Sequence, residues 1–319
     1  MELQQFITNE YFPDLQLYTA DQASQTVIGA LKDGVKPAIG SLCLLLGLVF
    51  AAALIRSFSS ALCEENAPLD LCVSLLCSAA VYEALKRSYD AVIMSLSGMA
   101  VLMDAMSAAM CAVYGLTGNV AGGSASVTTL MFVLQAVRLV SDKILLPLIF
   151  ACFGCSVLSA SGFGDGLSGI PATVKRAVTF LCGASAAVVC AVLSYQTVIA
   201  KAADSAVLKT VKFASSSFLP IVGSSLSESV NAVSSAIGAI KTASGVGGVI
   251  SLVVLTVPAA VSVASSVFCV KLCSFLCGIL QTEKLKAFFD DCGELLSMLL
   301  AVQLTVSVIF AASCALFCI

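Results

Sequence analysis

The strongest constraint on this chain is the length of its charge-free runs. Ala38–Ile55 is eighteen residues without a charged side chain, and Leu295–Ile319 and Ala177–Ala200 are further such runs. About 20 consecutive apolar residues cross the ~30 Å hydrocarbon core of a bilayer. In lipid the backbone must satisfy its own hydrogen bonds, and a single segment does so as a helix. Charged residues make up 11% of the chain, against about 25% in an ordinary soluble domain. The fold class is therefore all-α: a polytopic helical membrane protein with about six to eight spans, plus interfacial or re-entrant helices.

Two regions follow in order. Residues 1–37 form a polar N-terminal segment, and residues 38–319 a multi-pass membrane domain. Val27, Ile28, Leu31 and Val35 fall at helical spacing among Lys32, Asp33 and Lys36, which predicts an amphipathic helix on the membrane surface before the first span. The acidic start, without a basic region before an apolar core, shows no cleavable signal peptide.

Leu71–Leu85 reads as a short second span closed by Lys86, Arg87 and Asp90, and Ala91–Leu116 as the next. Ser126–Val140 and Ile144–Ala160 are split by Ser141, Asp142 and Lys143, and read as two short spans or one helical hairpin. Gly245–Leu280 is too long for one straight span at 1.5 Å per residue, and Pro258 near its middle should kink it. The charged stretch Glu283–Glu294, with Leu285, Phe288 and Phe289 as an apolar face, is expected along the membrane surface before the last span. If every segment crosses, the N-terminal side collects ten basic residues and the other side six, which points to the first as cytoplasmic.

Leu208–Ala259 stands apart. It is dense in Ser, Ala and Gly inside a very apolar chain, and small residues let helix backbones approach closely in a membrane. Pro220, Gly223 and the Gly245/Gly247/Gly248 cluster interrupt it. Non-helical backbone at membrane depth persists only where protein or a water-filled cavity covers it, so this segment is expected to pack against the other helices. Phe213, Phe218, Leu219 and Pro220 suggest a re-entrant or interfacial element.

The chain has no His and no Trp. The missing His removes the commonest general acid/base and the commonest metal ligand together. No nucleotide-binding loop, nucleophile elbow or zinc-protease motif is present. No catalytic group, cofactor or metal site is expected, and a net charge of −3 leaves no basic patch for nucleic acid. The fifteen cysteines lie mostly in apolar runs, where Cys packs as a small hydrophobe. Cys269, Cys273 and Cys277 recur every four residues and share one helix face.

Asp104 is the sharpest single residue, because an ionisable group in a span costs roughly 2.5–3.5 kcal/mol to insert. It either handles ions or protons, pairs with a base such as Arg138, or marks a span boundary near water. Lys209 and Lys212 sit at helical spacing. They either bind lipid phosphates or a partner's carboxylates, or anchor the chain by snorkelling.

The residues at Leu208–Ala259 also carry a resemblance. Thr210, Lys212 and Phe213 are followed by Phe218–Gly223 (F-L-P-I-V-G), a Ser/Ala-rich helix, Lys241, Gly245 and Gly248 in a K-x-x-x-G-x-x-G pattern, and an apolar run broken by Pro258. In this order and spacing they resemble the stage III sporulation protein AE family, and weaker similarity in span order extends from Val35 to the C-terminus. The resemblance implies a non-enzymatic multi-pass subunit of the secretion-like channel complex that joins mother cell and forespore, in the mother-cell membrane around the forespore. The implied partners are the other stage III A membrane proteins, a separate ATPase, a forespore membrane partner and the lipid bilayer. Lys212, Phe218, Pro220, Gly223, Lys241, Gly245, Gly248 and Pro258, with Asp104, are the packing or channel candidates. Members generally begin with a signal peptide and a longer extracytoplasmic region, and here the chain departs from them. The alternative is a stand-alone secondary transporter with helices broken around Pro220 and Pro258.

Overall fold

The computed structural model describes residues 39–55, 67–116, 120–161, 173–195 and 223–316, together with 25, 28 and 29. Apart from Ser161 and the turn at 280–282, all of them are helical. The helices are α1 (Ile39–Ile55), α2 (Ala67–Leu116), α3 (Val120–Val140), α4 (Leu146–Ala160), α5 (Thr173–Tyr195), α6 (Gly223–Ile279) and α7 (Glu283–Leu316). Five stretches are long and apolar enough to cross a membrane, and α1 is a shorter apolar helix. The protein is an integral membrane protein of the polytopic helical class. The re-entrant element expected around Phe218 and Pro220 lies outside the described residues. Of the expected surface helix, residues 25, 28 and 29 are helical and Ile28 is exposed.

The expected interruption at the Gly245/Gly247/Gly248 cluster does not occur, because glycine weakens a helix without ending it and α6 runs on through all three. Three further expected breaks are absent. The first is at Lys86–Asp90, where α2 runs unbroken for 50 residues. Glu83, Lys86 and Asp90 fall on its exposed side, and Arg87 reaches back to Glu83 at 3.2 Å and across to Ser41 of α1 at 3.2 Å. Charges spaced in this way colour one face of a helix without ending it.

The second is at Ser141–Lys143, where α3 and α4 are joined by a single π-helical turn, Ser141–Leu145. The Leu146 N–H donates to the carbonyl of Ser141, five residues back. Pro147 has no N–H to give the preceding turn, and its ring would crowd the carbonyl of Lys143. Widening the helix by one residue admits the ring and preserves the axis. Neither two short spans nor a hairpin forms.

The third is between Glu294 and Leu295. The segment at Glu283–Glu294 is the first part of α7, with Leu285, Phe288 and Phe289 all buried. Its apolar face meets protein: Phe288 packs against Phe153 of α4, at 6.4 Å between ring centroids.

The core is the trio α2, α6 and α7. The turn that joins α6 to α7 is tight, because Gln281 adopts φ 55° and lets the helix end fold back on itself. Thr282 N–H donates to Cys277 O at 3.0 Å and Gln281 N–H to Gly278 O at 3.3 Å, the paired bonds of a Schellman cap. From there the two helices run antiparallel in constant register. Gly278 packs on Lys286, Ser274 donates to Asp290, Gly293 lies under Lys271, and Gly248 faces Cys314. α2 is antiparallel to α6, since Ser88 meets Ser266, Gly98 meets Leu255 and Met106 meets Gly248. α5 is the least covered helix, with only Val178 and Val189 buried and one ion pair, Lys175 to Glu294 at 3.2 Å. At 1.5 Å per residue α2 is about 75 Å long and α6 about 85 Å, so both extend well past a ~30 Å hydrocarbon core.

Candidate functional site

The small-residue character of α6 has a direct geometric consequence. Gly248 is buried, and a Cβ there would overlap the Sδ and Cε of Met106 and stand 3.6 Å from Cys314 Sγ. A Cβ on Gly98 of α2 would come within 2.8 Å of Leu255 Cδ2. Glycine at these two points is what lets the helices of the trio close on one another. Of the sequence candidates, Gly248 is thus a close-approach residue. Pro258 lies inside α6 and is half-buried. Gly223 begins α6, and Lys241 and Gly245 lie in it. Lys212, Phe218 and Pro220 fall outside the described residues.

One turn before Pro258 the trio is tied by polar groups. Ser95 Oγ of α2 donates to the Leu255 carbonyl of α6 at 3.1 Å, and Gln303 Nε2 of α7 donates to Ser95 Oγ at 2.8 Å. Gln303 is fully buried, and its Oε1 has no hydrogen-bond partner. Pro258 has no N–H to offer the carbonyl of Val254, so this level also carries spare backbone acceptor capacity. Ser88 Oγ donates to Ser266 Oγ at 3.0 Å further along the same α2–α6 seam. Many other hydroxyls bond within their own helix, as Ser307 does to Gln303 O and Ser313 to Ile309 O. That local bonding is how a serine-rich helix stays satisfied in an apolar environment.

The ionisable residues singled out from the apolar runs, Asp104 and Arg138, sit on α2 and α3. Asp104 is exposed, near the end of the apolar stretch Cys72–Ala108, and accepts a long 3.5 Å bond from Gln135 Nε2. Arg138 pairs within its own helix, its Nε lying 3.4 Å from Asp142 Oδ2, rather than with Asp104. Asp142 is the second residue of the π-helical turn, and its Oδ1 is buried without a partner. Gln135, Arg138 and Asp142 share one side of this continuous helix at three- and four-residue spacing.

Sequence reasoning missed Gln303. The available signal was its isolation, as the only amide in the charge-free run Leu295–Ile319. The cysteine stripe is as expected, with Cys269, Cys273 and Cys277 all buried on one face of α6. Among the described residues, no group of three His, Cys, Asp or Glu side chains could hold a metal ion.

A family model, that of stage III sporulation protein AE, matches residues 1–319. The chain belongs to the stage III sporulation protein AE family. The matched range of this stage III sporulation protein includes the residues of both the Gly248/Met106 close approach and the polar tie at Gln303. The family is one of sporulation membrane proteins and not a known enzyme family. No curated protein and no solved structure matches the chain.

Proposed function

We propose that the chain is a non-enzymatic subunit of the transenvelope, secretion-like channel complex between mother cell and forespore, and that it resides in the mother-cell membrane around the forespore. The observation that carries this reading is the family match along the whole chain. The architecture supports it in two ways. α2 and α6 are more than twice as long as a hydrocarbon core requires, which gives the protein helical surface beyond the bilayer for partners. Among the described residues, α5 is mostly uncovered by the other helices. In this reading the polar tie at Ser95, Leu255 and Gln303 holds the trio in register, and energy comes from a separate ATPase.

The partners of this reading are the other stage III A membrane proteins and a forespore membrane protein. Affinity purification of a tagged, functional copy from cells that have completed engulfment tests it. Recovery of other stage III A proteins in stoichiometric amounts is the expected result. Recovery of the chain alone, after mild cross-linking in intact cells, would overturn the subunit reading.

A further inference from the structure

Where α2, α6 and α7 meet at Gly248, three sulfur atoms converge. Cys314 Sγ lies 3.6 Å from Met103 Sδ and 3.6 Å from Met106 Sδ. All three side chains are buried. Met103 and Met106 are three residues apart on α2 and so share a face, whereas Cys314 arrives from α7, more than two hundred positions later. Gly248 forms the third wall, and its missing Cβ is what gives the Met106 thioether its place beside Cys314.

We propose that Met103, Met106 and Cys314 form a binding site for a soft monovalent metal ion, Cu(I). Ligand chemistry is the first reason. Thioether and thiolate sulfurs select Cu(I), whereas hard cations require oxygen donors. Charge is the second. An uncompensated charge in an apolar interior is very costly. One thiolate with one monovalent cation is neutral, while a divalent ion on the same three ligands would leave a net positive charge. Geometry is the third. A metal–thiolate bond of about 2.3 Å in a trigonal site sets the sulfurs about 4 Å apart, a few tenths of an ångström beyond the 3.6 Å at which Cys314 Sγ stands from each thioether. Unbranched methionine side chains adapt readily to such a shift.

Binding breaks the Cys314 S–H bond and forms a Cu–S bond. The proton leaves to solvent, both thioethers donate lone pairs, and copper stays Cu(I), so no electron is transferred. The site needs no His, which the chain lacks.

The test uses the full-length protein in detergent under reducing conditions, titrated with Cu(I) against a chromogenic Cu(I) chelator. One equivalent held against the chelator is expected. It should be lost in Cys314→Ala and unchanged in Cys190→Ala on α5. The double variant Met103→Leu/Met106→Leu keeps the core volume and so the fold. It should weaken that equivalent by at least the ~10-fold that loss of even an outer-shell partner costs a metal site. Copper X-ray absorption of the wild type should show three sulfur scatterers. Failure to hold any equivalent, an equivalent indifferent to both Cys314→Ala and the methionine pair, or a nitrogen or oxygen first shell would each overturn the proposal.

Discussion

Replacing Gln303 by leucine should leave the protein at least as stable as the wild type, although it deletes an interhelical hydrogen bond. The amide donates once, to Ser95 Oγ at 2.8 Å. Bonds of this kind in membrane proteins average about 0.6 kcal/mol. Its Oε1 is buried with no partner, and an unsatisfied buried acceptor costs about 1–3 kcal/mol. Leucine removes both effects at similar volume, so the net change is a gain of about 0.5–2 kcal/mol. Ser95→Ala acts in the opposite direction. It deletes the hydroxyl that accepts from Gln303 and leaves the whole buried amide without a partner, at a cost of about 1–3 kcal/mol. In the double variant the amide is gone, so the serine change should cost much less, and the difference is the coupling energy of the pair. Equilibrium unfolding of the full-length protein in mixed micelles, followed by helicity, measures all four corners of this cycle. If Gln303→Leu is less stable than Ser95→Ala, the reasoning about the orphaned acceptor is wrong.

Four further predictions test other parts of the fold by the same unfolding assay or by membrane accumulation. Gly248→Ala should destabilise by about 1–3 kcal/mol through overpacking against Met106. In a Met106→Ala background the sign should reverse, because Ala then contributes only its better helix propensity; equal effects in both backgrounds would refute the close approach. Gln281→Gly should stabilise by about 1 kcal/mol, since glycine adopts the left-handed φ of the α6–α7 cap without penalty; a loss of stability would show that the glutamine side chain matters there. Arg138→Leu should lower membrane accumulation by leaving the Asp142 carboxylate unpaired in an apolar helix, and adding Asp142→Asn should restore it. Asp104→Asn, at an exposed position with one long contact, should change stability by no more than about 0.5 kcal/mol.

How much of this was legible in the sequence depended on whether the signal was local. The charge-free runs gave the helical membrane class, because bilayer thickness alone sets the length of an apolar segment. The small residues of α6 marked a close-packing helix, and Gly248 is the point where that packing is tightest. The false breaks arose from treating charge as a terminator. Glu83, Lys86 and Asp90 point away from the trio, and Ser141–Lys143 are absorbed by a π-helical turn made for Pro147. Phe288 and Phe289 read as a membrane-facing stripe because sequence periodicity shows that a face is apolar but not whether lipid or α4 covers it. The pairing of Gln303 with Ser95, and of Cys314 with two methionines, joins residues more than two hundred positions apart. No local pattern encodes such contacts; they follow from α2 and α7 both packing along α6.

The most direct test of the account is deletion of the gene in its spore-forming host, with late forespore reporter activity followed after engulfment. The account predicts normal vegetative growth, completed engulfment, and then loss of late forespore gene expression with forespore collapse, restored by the intact gene. Normal spores with full late reporter activity would contradict it, and an altered growth or uptake phenotype beside them would point to a transporter acting on its own.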